Sequence, residues 1–158
     1  MRPVIFLDFD GVLNSARSAI AFGGYGEAQL DPVAVALVAS LAKLADARVV
    51  VSSTWRLLYS LGDLRRILSN YSHALADRLV DATPSIRSGH RGEEIEAWLT
   101  DNGIPSYVIL DDDNDMLPAQ FANFVEVDAQ YGFSVHDYND ARSILGVKGA
   151  VEVLEEDS

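Results

Sequence analysis

Asp8 and Asp10 stand two residues apart where the apolar run Val4-Ile5-Phe6-Leu7 gives way to Gly11. Two carboxylates in that position can both reach one pocket, and like charges about 4 Å apart repel by roughly 4 kcal/mol at an effective dielectric near 20. Such a pair calls for a cation or a proton. A hard, oxygen-preferring ion such as Mg²⁺ suits it, because that ion takes carboxylates, carbonyls, water and phosphate oxygens. Gly11 lets the chain bend away sharply. A capping or turn Asp pair is the plainer reading of the same residues.

Asp111-Asp112-Asp113-Asn114-Asp115 follows a second apolar run, Tyr107-Val108-Ile109-Leu110. It is the densest negative charge in the chain and is costly to gather at a sheet edge without a metal. A solvated acidic loop is the alternative; the Gly and distal Glu of an EF-hand calcium loop are missing. Ser52-Ser53-Thr54 follows Val49-Val50-Val51. Hydroxyl and backbone N–H groups there can hold phosphate oxygens, although Ser and Thr also cap helices. Arg56 carries the planar fork that clamps a phosphate, and Trp55 either packs in the core or stacks a base.

Arg87-Ser88-Gly89-His90-Arg91-Gly92 sets cations just ahead of a helix, where they can counter the carboxylates and a substrate's phosphate. Arg91 falls at the helix start, where the dipole does not favour a cation; that misfit leans toward a functional role. His90 reads as a loop histidine, and three His without paired spacing do not make a metal site.

The elements that must position these clusters follow from periodicity. Residues 4–7, 49–51, 79–82, 107–110 and 124–127 read as short buried strands. Asp31-Pro32 starts a helix that runs to Ala45, with Val35, Val38, Leu41 and Leu44 on one face. Residues 61–70, extended by 75–79, then 91–101 and 135–145, read as further helices. Ile95, Trp98 and Leu99 share a face of the third, which Asn102-Gly103 ends. Residues 11–30, rich in Gly and small side chains, read as a loop or small flap. Apolar strands alternating with helices imply an α/β fold: a doubly wound, Rossmann-like parallel sheet of about five strands covered on both faces. Sites in such sheets form beyond the carboxyl ends of the strands, where the clusters at 8–10, 52–54 and 111–115 fall. One domain is expected over residues 1–150, and 151–158 is expected to be a frayed acidic tail.

Composition limits the function. Hydrophobic residues make up 49% of the 158, enough for a core. The net charge of −12 disfavours non-specific binding to long polyanions, which runs on phosphate neutralisation; a local Arg cluster with a metal leaves a nucleic-acid end open. The absence of cysteine excludes disulfides, thiolate catalysis and Cys-based zinc sites. The opening apolar run is too short for a signal peptide or a span, so no membrane partner and a cytoplasmic location are expected.

Taken in order, these residues resemble the haloacid dehalogenase (HAD) superfamily. Its first motif, D-x-D-G-[VT], matches Asp8-Phe9-Asp10-Gly11-Val12; its second, a Ser or Thr after a strand, matches Ser52. Its third, a Lys or Arg at a helix, matches Arg91, and its fourth, an acidic pair after a strand, matches Asp111-Asp112. More narrowly, LDFDGVLN, SSTWR, RGEEI and LDDD are similar to the small domains of RNA-repair proteins and to the phosphatase domain of polynucleotide kinase–phosphatases. The resemblance implies a phosphomonoesterase with Asp8 as nucleophile and Asp10 as general acid and base. It also implies Ser52 and Arg91 on the phosphoryl oxygens, with Gly11, Ser53 and Arg56 lining the substrate. Mg²⁺ would be held by Asp8, the Asp10 carbonyl and Asp112, with Asp111 a further ligand or an outer carboxylate. Two choices stay open: Arg91 or Arg87 as the cation, and the register among Asp111, Asp112 and Asp113.

There is no room for a large cap domain, so an open site is expected, suited to a phosphorylated nucleotide, nucleic-acid end or phosphoprotein. The nucleotide or nucleic-acid end is favoured. Oligomeric state is not legible. The alternative is a receiver-like module, also doubly wound, that is phosphorylated on Asp without turnover.

Overall fold

The computed structural model describes residues 1–147. The expected domain boundary at 150 and the acidic tail 151–158 lie outside the described residues. Five parallel strands form one sheet: β1 (Val4–Leu7), β2 (Arg48–Val51), β3 (Leu79–Ala82), β4 (Tyr107–Asp111) and β5 (Phe124–Glu126), in the order β3-β2-β1-β4-β5. The helices are α1 (Ala16–Phe22), α2 (Pro32–Ala45), α3 (Leu61–Ser69), α4 (His73–Arg78), α5 (Arg91–Asn102) and α6 (Val135–Ile144).

Strand pleating explains why β1 is apolar at every position. Ile5 and Leu7 belong to the larger core, with Val35, Val38 and Leu41 of α2, Leu64 and Ile67 of α3, and Tyr138 of α6. Val4 and Phe6 belong to the other core, with Ile95, Trp98 and Leu99 of α5. A strand buried on both faces needs no alternation. Phe6 meets the Trp98 ring edge-on at 5.4 Å, and the Trp98 indole donates to Asp81 Oδ2 at 2.8 Å.

Helix α2 starts as its sequence demands: Asp31 caps the Val33 N–H at 2.9 Å, and Pro32 takes the first helical position. The expected loop at 11–30 is more ordered than composition suggested. Ser15 and Ser18 form a reciprocal cap that starts α1, and Gly23 ends it at φ +89°. The polar pair outweighs the helix-breaking effect of small residues nearby. No cap-sized insertion occurs among the described residues.

The order of the strands bears on the receiver alternative. Doubly wound folds of the receiver kind run 2-1-3-4-5; this sheet runs 3-2-1-4-5. The receiver-like reading is therefore overturned by topology. Among the described residues, no helix is long and apolar enough to cross a membrane.

Candidate active site

The parallel register brings the polar clusters together. Leu7 aligns with Val51 on one side and Leu110 on the other, so Asp8, Ser52 and Asp111 leave the sheet as neighbours. The Asp8 N–H donates to the Leu110 carbonyl at 3.0 Å and the Ser52 N–H to the Leu7 carbonyl at 3.0 Å. Ser52, Asp8 and Asp111 are 0%, 5% and 0% exposed, so three polar side chains are sunk at one edge.

Asp8 is gripped through one oxygen. Its Oδ1 accepts from the Phe9 N–H at 2.9 Å and lies 3.3 Å from the Arg91 guanidinium. No donor among the described residues reaches Oδ2. Asp111 is held at both oxygens, by the Asp113 N–H at 2.9 Å and by Arg91 at 2.8 Å. No N–H group among the described residues donates to Asp112, which packs over the bend at Gly11. A Cβ there would fall 2.4 Å from Asp112 Oδ2, and the backbone takes φ +84°. Glycine is needed at position 11 both for the turn and for the carboxylate that sits on it.

Carboxylate oxygens of Asp8, Asp111 and Asp112 lie within 4.8 Å of one another. Burial first, and then the Asp111 charge, push the Asp8 carboxyl up to about 9. Burial raises Asp111 to about 6 against the pull of Arg91. Burial alone would lower Arg91, but the Asp111 and Asp8 charges prevail and raise it. One cation therefore faces three carboxylates, an imbalance that a divalent ion would relieve. The donor set fits a hard ion: all oxygen, partly free, and beside an Asp10 carbonyl that accepts no hydrogen bond among the described residues.

Asp10 is exposed, and its carboxylate stands outside that cluster, so only its carbonyl is on offer to an ion. Its Oδ1 accepts from Asn14 Nδ2 at 2.9 Å and from the Trp55 indole at 3.1 Å. Asn14 also accepts the Gly11 N–H at 2.8 Å, tying the turn together. Trp55 packs between Phe9 and Tyr59, at 5.0 and 5.6 Å between ring centres. Trp55 packs in the core, as one of its two readings had it, and its indole is a carboxylate partner besides. Asn14 was overlooked; its signal was a polar residue directly after Val12-Leu13 in an otherwise buried stretch.

Ser52 Oγ is buried with no hydrogen-bond partner among the described residues. Such a hydroxyl is rare in a native interior and usually marks a function or an absent partner. The neighbouring Ser53 N–H also lacks an acceptor among the described residues. The Ser53 hydroxyl accepts the Trp55 N–H at 3.2 Å as a cap and keeps its own O–H to donate.

Arg56 does not take its expected place on the substrate. Its guanidinium forms a buried ion pair with Glu94 at 2.9 Å, both side chains under 7% exposed, and donates to the Thr83 and Ser53 carbonyls at 3.0 and 2.8 Å. A fork so occupied is not free to clamp phosphate. Glu94 also accepts the Ile86 N–H at 3.2 Å, so the pair anchors the loop that leads to Arg91. The clue was helical spacing: Glu94 lies four residues before Trp98, on the apolar face of α5. Arg91 enters the cluster, whereas Arg87 is exposed and makes no ion pair among the described residues. Asp113 is exposed and its side chain is outside the cluster. His90 pairs with Asp115 at 3.2 Å on the surface.

A family model described as the HAD domain in Swiss Army Knife RNA repair proteins matches residues 4–138. No curated protein and no solved structure matches the chain.

Proposed function

The chain belongs to this HAD domain family of RNA repair proteins, and on that premise we propose that it is a Mg²⁺-dependent phosphomonoesterase acting on a phosphorylated nucleotide or nucleic-acid end. The observation that carries the reading is the meeting of Asp8, Asp111 and Asp112 with Arg91 beside the unpartnered Ser52 hydroxyl. The RNA-repair description of the family and the absence of a large cap support the substrate class. The cytoplasm remains the expected location.

Each group then has a task. Asp8 Oδ2, the oxygen without a donor, attacks phosphorus in line, and the bond from phosphorus to the leaving oxygen breaks. Asp10, oriented by Asn14 and Trp55, gives a proton to that oxygen. In the second half, water attacks the aspartyl-phosphate and Asp10 takes its proton, which frees phosphate and restores Asp8. Ser52 and the N–H groups of Asp10 and Ser53 offer donors to the phosphoryl oxygens. Arg91 balances the charge that develops there while fixing Asp8 and Asp111. Asp8, Asp112 and the Asp10 carbonyl would hold Mg²⁺, which when bound supplies positive charge against the phosphoryl oxygens.

The test is phosphate release from an aryl phosphate, 3′- and 5′-phosphorylated oligonucleotides, mononucleotides and phosphopeptides, with Mg²⁺ or with EDTA. Turnover that needs Mg²⁺ and favours nucleotides or nucleic-acid ends supports the reading; no turnover on any phosphomonoester defeats it. Two variants sharpen the roles. Asp10→Asn keeps an acceptor for Asn14 and Trp55, so the fold holds while turnover drops about 10²- to 10⁴-fold, the usual worth of a general acid. Mg²⁺ at about 100 times its Kd is expected to stabilise the wild type by about 2.7 kcal/mol in thermal melts. Asp112→Ala is expected to lose that shift; if it shifts as the wild type does, the ligand set is wrong.

A further inference from the structure

The phosphate chemistry leaves one neighbouring feature unused. Residues 127–134 form a shared wall between two cavities. At its start, Val127, Asp128 and Ala129 join Asp112 in lining a cavity of about 460 Å³ beside the acidic cluster. At its end, Tyr131 and Phe133 line a groove of about 400 Å³, closed by α1 and the first turn of α2. The wall is pinned to the chain that follows Asp10. The Ala129 carbonyl accepts the Ala16 N–H at 2.9 Å, the Gln130 carbonyl accepts the Arg17 N–H at 3.0 Å, and the Phe133 N–H donates to the Val12 carbonyl at 2.9 Å. Groove and acidic cluster therefore share hydrogen-bonded elements at the same edge of the sheet.

The groove gathers apolar side chains left in water. Phe22, Tyr131, Val33 and Val135 are 49%, 62%, 66% and 52% exposed. A contiguous apolar patch of this kind marks a binding surface more often than scattered exposed residues do. Arg17 lines it as well. Among the described arginines, only Arg17 and Arg87 have a guanidinium with no protein acceptor, in a chain whose net charge is −12. Asp31 faces the opposite balance: it lines the groove while its Oδ1 caps Val33. One cation and one anion leave the groove without net charge. A second phosphate gains little there, whereas a flat apolar ring with donors and acceptors around its edge suits both charges and the aromatic faces.

We propose that this groove receives the nucleobase of the nucleotide whose phosphate is presented to Asp8, an inference that rests on the phosphomonoesterase reading. Base–aromatic stacking is tolerant of sequence because every base has a π-face. The groove thus favours nucleotides over other phosphate esters without reading one base against another.

The test compares 3′- and 5′-adenosine monophosphate with glycerol 2-phosphate in the wild type and in Phe22→Ala, Tyr131→Ala, Tyr131→Phe and Ile20→Ala. For the better adenosine monophosphate, kcat/KM is expected to fall about 10- to 100-fold in the Phe22 and Tyr131 alanine variants, mostly through KM. Tyr131→Phe keeps its ring and stays near wild type. Ile20 is 87% exposed on α1 but outside the groove, so its variant is neutral. Hydrolysis of glycerol 2-phosphate is unchanged throughout. Calorimetric titration with adenosine itself gives a second readout, binding in the wild type that Tyr131→Ala weakens. Equal loss on both kinds of substrate, no loss on either, or adenosine binding indifferent to Tyr131 overturns base docking. A phosphotyrosine peptide that outcompetes the nucleotides and shows the same variant dependence also overturns it, by assigning the groove to a peptide ring. Adenosine binding that needs Tyr131 in a protein without turnover keeps the groove and removes the phosphatase reading. Turnover of glycerol 2-phosphate with no role for Tyr131 does the reverse.

Discussion

Asp8→Asn is expected to cut Mg²⁺-dependent phosphate release by at least about 10³-fold, the scale on which removal of a nucleophile acts. The substitution is nearly isosteric. The amide oxygen can still accept from the Phe9 N–H and face Arg91, so the local geometry survives. What disappears is the Oδ2 nucleophile, since an amide nitrogen does not attack phosphorus. The same change removes one of three crowded charges, which burial and Asp111 already oppose. In EDTA the variant is therefore expected to melt no lower than the wild type, and its response to Mg²⁺ is expected to weaken. Loss of activity with retained melting temperature separates chemistry from folding. Turnover within tenfold of wild type would remove Asp8 from the nucleophile's role.

Glu94→Ala is expected to be the most destabilising single change named here, at about 3–5 kcal/mol, because it strands the Arg56 charge in a buried site. At about 2–4 °C per kcal/mol for a chain of this size, the melting temperature falls on the order of 10 °C. The Ile86 N–H loses its acceptor too, so the loop that delivers Arg91 loosens and kcat falls with stability. Replacing both partners with apolar residues, Arg56→Met with Glu94→Leu, should recover most of the stability, since apolar replacement of a buried pair is often neutral or better. The double variant also tests the corrected place of Arg56. A structural pair predicts activity within about tenfold of wild type once stability returns; activity that stays lost while the fold is restored would return Arg56 to the phosphate. A cost for Glu94→Ala below about 1 kcal/mol would mean that water reaches the pair.

The differences between sequence and structure share a cause. Spacing along one chain showed that Asp8, Ser52, Arg91 and Asp112 could meet, because each follows a strand or starts a helix at the same sheet edge. It did not show what the second atom of each side chain would touch. Arg56 read as a phosphate ligand because donors near a phosphate motif look alike. The fold gave Arg56 a buried carboxylate from α5. Trp55 and Asn14 were visible as residues, but their hold on Asp10 joins the turn after β1 to the turn after β2. The choice between Arg91 and Arg87 was likewise a matter of four residues along a loop. Helix α5 starts at Arg91 and points its first turn at the strand ends, which brings Arg91 to the carboxylates.

The sequence by itself determined the α/β class, the parallel strands and the four polar clusters, since apolar runs, caps and glycine turns act over a few residues and leave a local record. The tertiary structure alone decided the strand order, the split of Asp111 and Asp112 into a held and a free carboxylate, and the groove beside them. Those depend on which segments lie side by side, and burial, hydrogen-bond satisfaction and charge balance are settled only between neighbours that the chain brings from far apart.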